Sequence, residues 1–234
     1  MKRLTSLIVS RVLICCLAAP AVETVTQSGD EILAKLENTN SRRHAVLQEY
    51  SGLRRYTLHN LRFGKLATAD VRMTYDRGEH CTVLTRTGSE KLSGIIDKVL
   101  ASEDGASLSP EYTRHEITAA NYRVRLLGSE VTAGRTCYVL ELAPKAKAKY
   151  LLVGKAWIDS EDYAVVRLEG QFAASLSILV GAPHLTEEFT YVDGFWLPAH
   201  VRSVATSFLL GPSELDILYS DYQLSTPKAL SAAE

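Results

Sequence analysis

The side chains in this chain best suited to chemistry are six histidines (His44, His59, His80, His115, His184, His200), four cysteines and a few clusters of charge. A zinc site needs Cys or His at set, short spacings. No C-x-x-C occurs, no two histidines stand four apart, and His115-Glu116 lacks the second His of a zincin helix. There is no G-x-S-x-G elbow, no G-x-G-x-x-G and no phosphate-binding P-loop. Asp159, Glu161 and Asp162 surround a turn signal, where such residues serve backbone hydrogen bonding. Glu187 and Glu188 are adjacent in a strand pattern, so they face opposite ways and cannot act as a carboxylate pair. Lys145, Lys147 and Lys149 recur at period two beside Pro144. They form either a patch for phosphate headgroups or an acidic partner, or a solvated strand edge that discourages aggregation. Arg42-Arg43 and Arg54-Arg55 admit the same two readings. No catalytic constellation and no metal or cofactor site emerges, so the chain reads as a protein that binds rather than reacts.

Composition agrees with a globular binder. The 234 residues are 46% hydrophobic and 23% charged, which excludes disordered and collagen-like classes. A net charge of −1 argues against a nucleic-acid partner. Lys2, Arg3 and Arg11 precede an apolar run, Val12 to Ala19, that ends in Ala19-Pro20-Ala21. A charged start, a short apolar core and an A-x-A exit read as a signal peptide over residues 1–21, the alternative being a retained N-terminal anchor. Cleavage there leaves 23 basic and 27 acidic side chains, net −4, with Cys81 and Cys137 as the remaining cysteines. In an exported chain these two could form a disulfide, or stay as buried thiols on separate strands.

Periodicity supplies the elements. Ser28 with Glu31 three residues on has capping-box spacing, and Ile32, Leu33 and Leu36 continue as an apolar stripe, predicting helix over about 30–49 that stops at Ser51-Gly52. Three strands follow in a meander over 53–63, 66–76 and from Cys81. Leu92, Ile95, Ile96, Val99 and Leu100 then fall at helical spacing within 89–102. A second, longer meander runs from Tyr122 to Tyr222, and the tail 226–234 is loose. The expected fold is α+β and mainly β. Its 9–11 antiparallel strands curl into an open half-barrel, with an N-terminal helix and a central helix covering an apolar concave face. Strand alternation nominates Val71, Met73 and Tyr75 for that face, with Ile95, Ile96 and Val99 on the covering helix. It also nominates Tyr122, Val124 and Leu126 with Tyr138, Leu140 and Leu142. The aromatics Trp157, Phe172, Phe195 and Trp196 could be core or could line an acyl-chain cavity. The run Leu176 to Val180 reads as an apolar loop or a further strand.

Three stretches carry a resemblance. They are Gly134-Arg-Thr-Cys-Tyr-Val-Leu-Glu-Leu-Ala-Pro-Lys, then Ala156-Trp-Ile-Asp through Val165-Val-Arg, and Gly194-Phe-Trp-Leu-Pro. With Tyr50-Ser-Gly-Leu-Arg-Arg-Tyr before them, they resemble the outer-membrane lipoprotein-sorting superfamily, the LolA/LolB-like carriers and related periplasmic sensor domains. The likeness covers roughly residues 30–224 and rests on turn and packing motifs. It implies one half-barrel domain over 22–225, periplasmic and monomeric, with an acyl-bearing ligand (a lipid or a lipoprotein) in its cavity. It also implies passing contact with envelope membrane proteins. The alternative within the same family is a sensor or protein-interaction module with a packed interior.

Overall fold

The computed structural model describes residues 27–47, 49–76, 78–103, 116–148, 151–175 and 181–225. The expected signal peptide, the tail 226–234 and the apolar run 176–180 lie outside these residues. Helix α1 spans Gly29–Val46 and opens on the capping box: Glu31 N donates to Ser28 Oγ (3.2 Å) and Ser28 N to Glu31 Oε2 (2.9 Å). Such reciprocal bonds satisfy two of the amides that a helix start leaves unpaired. Next come β1 (Glu49–Asn60), β2 (Lys65–Asp76) and β3 (Glu79–Gly88), then α2 (Glu90–Glu103). The remaining strands are β4 (Tyr122–Thr132), β5 (Arg135–Pro144), β6 (Leu152–Asp159), β7 (Val165–Phe172), β8 (His184–Val192), β9 (Phe195–Ser207) and β10 (Gly211–Ser225).

All ten strands form one antiparallel sheet in the order β3-β2-β1-β10-β9-β8-β7-β6-β5-β4, so β3 and β4 are its open edges. Nearest neighbours in sequence pair as hairpins, with one exception. The first meander is joined to the second by β1 on β10, with Tyr56 opposite Ile217. β1 begins at Glu49, before the expected stop at Ser51-Gly52. Gly52 is taken into the strand at a register shift, where a side chain would crowd Ser220 O and the Tyr222 ring. Tolerance of a tight neighbour, rather than chain termination, explains that glycine.

The register draws the concave face. One row crosses nine strands: Ala69, Tyr56, Ile217, Val201, Glu187, Leu168, Ala156, Leu140 and Leu126, each paired with the next. Paired residues in an antiparallel ladder share a face, so this is a near-continuous apolar floor with one carboxylate at its centre. Two helices cover its two ends. Ile32, Leu33 and Leu36 of α1 pack on β4–β7, against Leu140, Leu142 and Ile158. Leu92, Ile96 and Leu100 of α2 pack on β1–β3 and β10, against Tyr56, Ala69, Val71 and Ile217. A third cluster, Val139, Trp157, Val166 and Trp196, lies on the opposite face of the sheet. Among the described residues no helix is long and apolar enough to cross a membrane.

Candidate functional site

The nominated residues do not meet in one place. Val71 is buried in the cluster under α2, with Ile96, Ile95 and Val99 of the helix around it. Tyr122, Leu140 and Leu142 are buried in the cluster under α1, with Val124, Leu126 and Tyr138 packed at its margin. Tyr122 has a structural task as well, since its hydroxyl accepts the Leu152 amide at 2.8 Å and so ties β6 to β4. Helix α2 covers the Val71 set, and the Tyr122 set lies under α1, which packs on the second meander.

The helices are attached differently. Polar cross-links fasten α1. Thr39 Oγ1 donates to Asp162 O (3.1 Å), Arg43 Nη1 donates to Trp196 O (2.9 Å), and Glu37 Oε1 accepts from Ala119 N (2.6 Å). Lys35 Nζ donates to Tyr163 OH (3.0 Å) and lies 4.5 Å above that ring. Helix α2 is seated by apolar side chains, Leu92, Ile96 and Leu100, worth roughly 1.5–3 kcal/mol apiece when buried. Among the described residues an ion pair, Arg86–Asp97 at 2.6 Å, reaches it from the sheet; it is exposed on both sides, and such pairs contribute about 0–1 kcal/mol. At its start, Gly88 has φ +93, and a Cβ there would overlap Leu66 O, so this joint needs glycine.

Beside the α2 cluster stands a polar island that sequence reading did not find. Arg54 is 7% exposed, directly opposite Val71 and Tyr219 in the ladder, and its Nη1 donates to Glu79 Oε1 at 2.5 Å. Burial works against its charge, but its bond to the Glu79 carboxylate favours the cation, which also lies 4.9 Å from the Tyr219 ring. Tyr50 stacks on Tyr75 (5.0 Å between centroids) and approaches Tyr222 (6.3 Å). Burial, then Glu79, pushes the Tyr50 phenol up to about 12. Burial, then Tyr50 and Glu79, pushes Tyr222 up as well, so both hydroxyls stay protonated. Tyr222 donates to Pro198 O at 2.7 Å. Tyr75 is part of this island rather than of an apolar wall, and Met73 is buried on the same strand face. Of the adjacent pair Arg54-Arg55, alternation turns Arg54 inward, where it pairs with Glu79, and Arg55 outward, where it pairs with Asp70.

The cysteines are far apart in strand order. Cys81 is on edge strand β3 and Cys137 on β5, and the two are not joined by a disulfide. Burial, then the charge of Asp159, pushes the Cys137 thiol up to about 11. A thiol so placed is a poor nucleophile. Alkylation without denaturant followed by peptide mapping should therefore label Cys81 well before Cys137, and labelling of Cys137 at the same rate would contradict this placement.

At the end of the sheet where the β4–β5, β6–β7 and β8–β9 turns gather, a pocket of about 470 Å³ opens between Arg135, Glu161, Asp162, Tyr191 and Trp196. Among its lining residues Arg135 is shared by three carboxylates, Asp159, Glu161 and Asp162. Asp159, 1% exposed, accepts Arg135 at 2.7 and 3.0 Å and the amides of Glu161 and Asp162. Burial opposes ionisation of Asp159, but Arg135 and those amides hold its carboxyl below the usual range. Arg135 also reaches Asp162 at 3.0 Å, and Asp162 accepts Trp196 Nε1 at 3.0 Å. This polar network braces the turns and has no acyl-binding character. The three acidic residues thus serve the turn, and His200 sits between Asp216 (2.8 Å) and Glu188 (3.9 Å) on a half-exposed strand face.

The architecture defined by these elements is an open antiparallel half-barrel with two helices on its concave face. No family model and no curated protein matches the sequence. Among solved structures the chain is similar to a DUF1329 family protein from Desulfovibrio piger ATCC 29098, with 11% identity over 86% of this chain and 93% of that one and a TM-score of 0.48. It is similar to a putative outer membrane lipoprotein-sorting protein domain from Vibrio parahaemolyticus, with 13% identity, 86% and 93% coverage and a TM-score of 0.42. A LolA superfamily protein from Nitrosomonas europaea, NE2245, aligns with 14% identity, 86% and 96% coverage and a TM-score of 0.39. These likenesses are of fold.

Proposed function

We propose that this protein is a non-catalytic periplasmic carrier that holds acyl chains, of a lipid or a lipoprotein, between the concave face and helix α2. The observation that carries the reading is the contrast between the two helices. The apolar floor under α2 is covered by a helix seated through side-chain burial, with a glycine joint at its start, whereas α1 is laced down by polar bonds. Lifting α2 exposes Tyr56, Ala69, Val71 and Ile217, and exchanging its Leu and Ile side chains for an acyl chain restores a similar apolar contact. An acyl chain in water costs about 0.8 kcal/mol per CH₂, which is the driving force for such an exchange. A second reading, an envelope sensor or protein-interaction module, is favoured by the closed packing of both clusters.

Native mass spectrometry of the chain as processed by an exporting cell, with lipid extraction, separates the two. Stoichiometric acyl-bearing species, or their uptake from added phospholipid or lipopeptide, is the expected result. A mass that stays that of the bare chain throughout would leave the packed-module reading. Hydrogen exchange provides a second check: α2 amides should exchange faster than those of α1 in the free protein and slow on acyl binding. Equal protection of the two helices would remove the basis for a movable α2.

A further inference from the structure

Two turns at one end of the half-barrel present an apolar surface that the carrier reading does not use. The β1–β2 turn exposes Leu61 and Phe63, with Leu66 just after it, at 47%, 54% and 48%. The β9–β10 turn exposes Phe208 and Leu209 at 82% and 65%. The β1–β10 pairing sets these turns side by side. Asn60, 1% exposed, stitches them: its Nδ2 donates to Leu210 O and Ser213 Oγ, both at 2.8 Å, and its Oδ1 accepts Phe63 N at 2.9 Å. Leu61 N also donates to Pro212 O at 3.0 Å. A buried amide dedicated to joining two turns, both of which then show large apolar side chains to solvent, marks a preformed surface rather than scattered exposure.

The charges select the partner. Residues 61–66 contribute Arg62 and Lys65 and no carboxylate, and residues 207–212 contribute no charge. Behind them, Glu90 and Lys91 at the start of α2 offset each other. The rim is therefore locally cationic on a chain of net charge −1, which as a whole is not attracted to anionic surfaces. Phe and Leu at turn tips flanked by Arg and Lys match the layered chemistry of a bilayer interface, apolar below and anionic at the headgroups. We infer that the paired β1–β2 and β9–β10 turns dock this protein on anionic phospholipid membranes, with Phe208, Leu209 and Phe63 entering the interface and Arg62 and Lys65 meeting lipid phosphates. The same rim abuts the α2 joint, since Ser89 N donates to Leu66 O at 2.8 Å.

Flotation of the chain with phosphatidylethanolamine/phosphatidylglycerol vesicles tests this. The native chain should float with them and much less with phosphatidylcholine alone. F208S/L209S should weaken flotation on the order of tenfold or more, since two apolar side chains lose their burial. R62Q/K65Q should cost roughly tenfold and abolish the preference for phosphatidylglycerol. All four side chains are exposed, so unfolding midpoints should match the native chain. Failure of the native chain to float, or equal flotation of F208S/L209S, overturns the inference. So does light scattering that shows a native dimer made monomeric by F208S/L209S, which would make the rim an interface between copies. Acyl uptake measured without vesicles is untouched by these rim changes, so either reading can fail without the other.

Discussion

Replacing Glu79 with Ala is expected to destabilise the protein by about 3–5 kcal/mol, the range for removing one partner of a buried ion pair. Arg54 would keep its charge, because guanidinium is not deprotonated in proteins, and it would stand on the concave face between Val71 and Tyr219 without its carboxylate. The Tyr50–Tyr75–Tyr222 group would lose a neighbouring charge at the same time. Arg54→Ala should cost a similar amount, by taking the guanidinium away from Glu79. The informative variant is the double replacement Arg54→Met with Glu79→Leu. A buried pair exchanged for apolar groups of similar volume is often neutral, so the double variant should recover most of the stability lost by either single one. Urea denaturation of the native chain, Arg54→Met, Glu79→Leu and the double variant reads the cycle. Single variants within 1 kcal/mol of native, on the order of a surface change, would show that Arg54 is solvated rather than buried. The island matters for function because it borders the floor under α2. A lone charge there would draw in water and weaken the apolar seat on which the proposed acyl site depends.

A loss on the order of 1–3 kcal/mol or more is expected for Gly154→Ala and for Gly170→Ala. In an ordinary strand the exchange of Gly for Ala is neutral or favourable, since glycine weakens strands. These two glycines face each other across β6 and β7, and a Cβ on either would overlap the other strand's backbone: Glu169 O for Gly154, Val153 O for Gly170. Neither has positive φ, so the requirement is space rather than backbone conformation. The neighbour in each case is backbone, which cannot step aside as a flexible side chain would. Two glycines in register let the two backbones approach closely. Urea midpoints again supply the measurement, and a G170A protein as stable as the native one would mean that the strands are further apart than described.

Much of this was legible without coordinates. Alternation assigned Val71, Leu140 and their neighbours to faces, helical spacing located α2, and Ser28-x-x-Glu31 placed the start of α1. Each is a local rule acting over a few residues: a side chain alternates along a strand, recurs every 3.6 residues on a helix, or caps the amide three positions on. The hairpins were legible for the same reason, since short turns leave little choice of partner.

What depended on the tertiary structure involves partners distant in sequence. The pairing of β1 with β10 joins residues about 160 apart, and no local pattern encodes it. That one pairing brings the β1–β2 turn against the β9–β10 turn and makes a single rim of Phe63 and Phe208. Likewise, alternation states that a residue faces inward but not which helix covers it, so the two concave sets fell under two helices. Arg54 shows the limit most plainly. Whether a guanidinium can be buried depends on a carboxylate two strands away in the sheet, on β3, and that distance exists only once the sheet has formed.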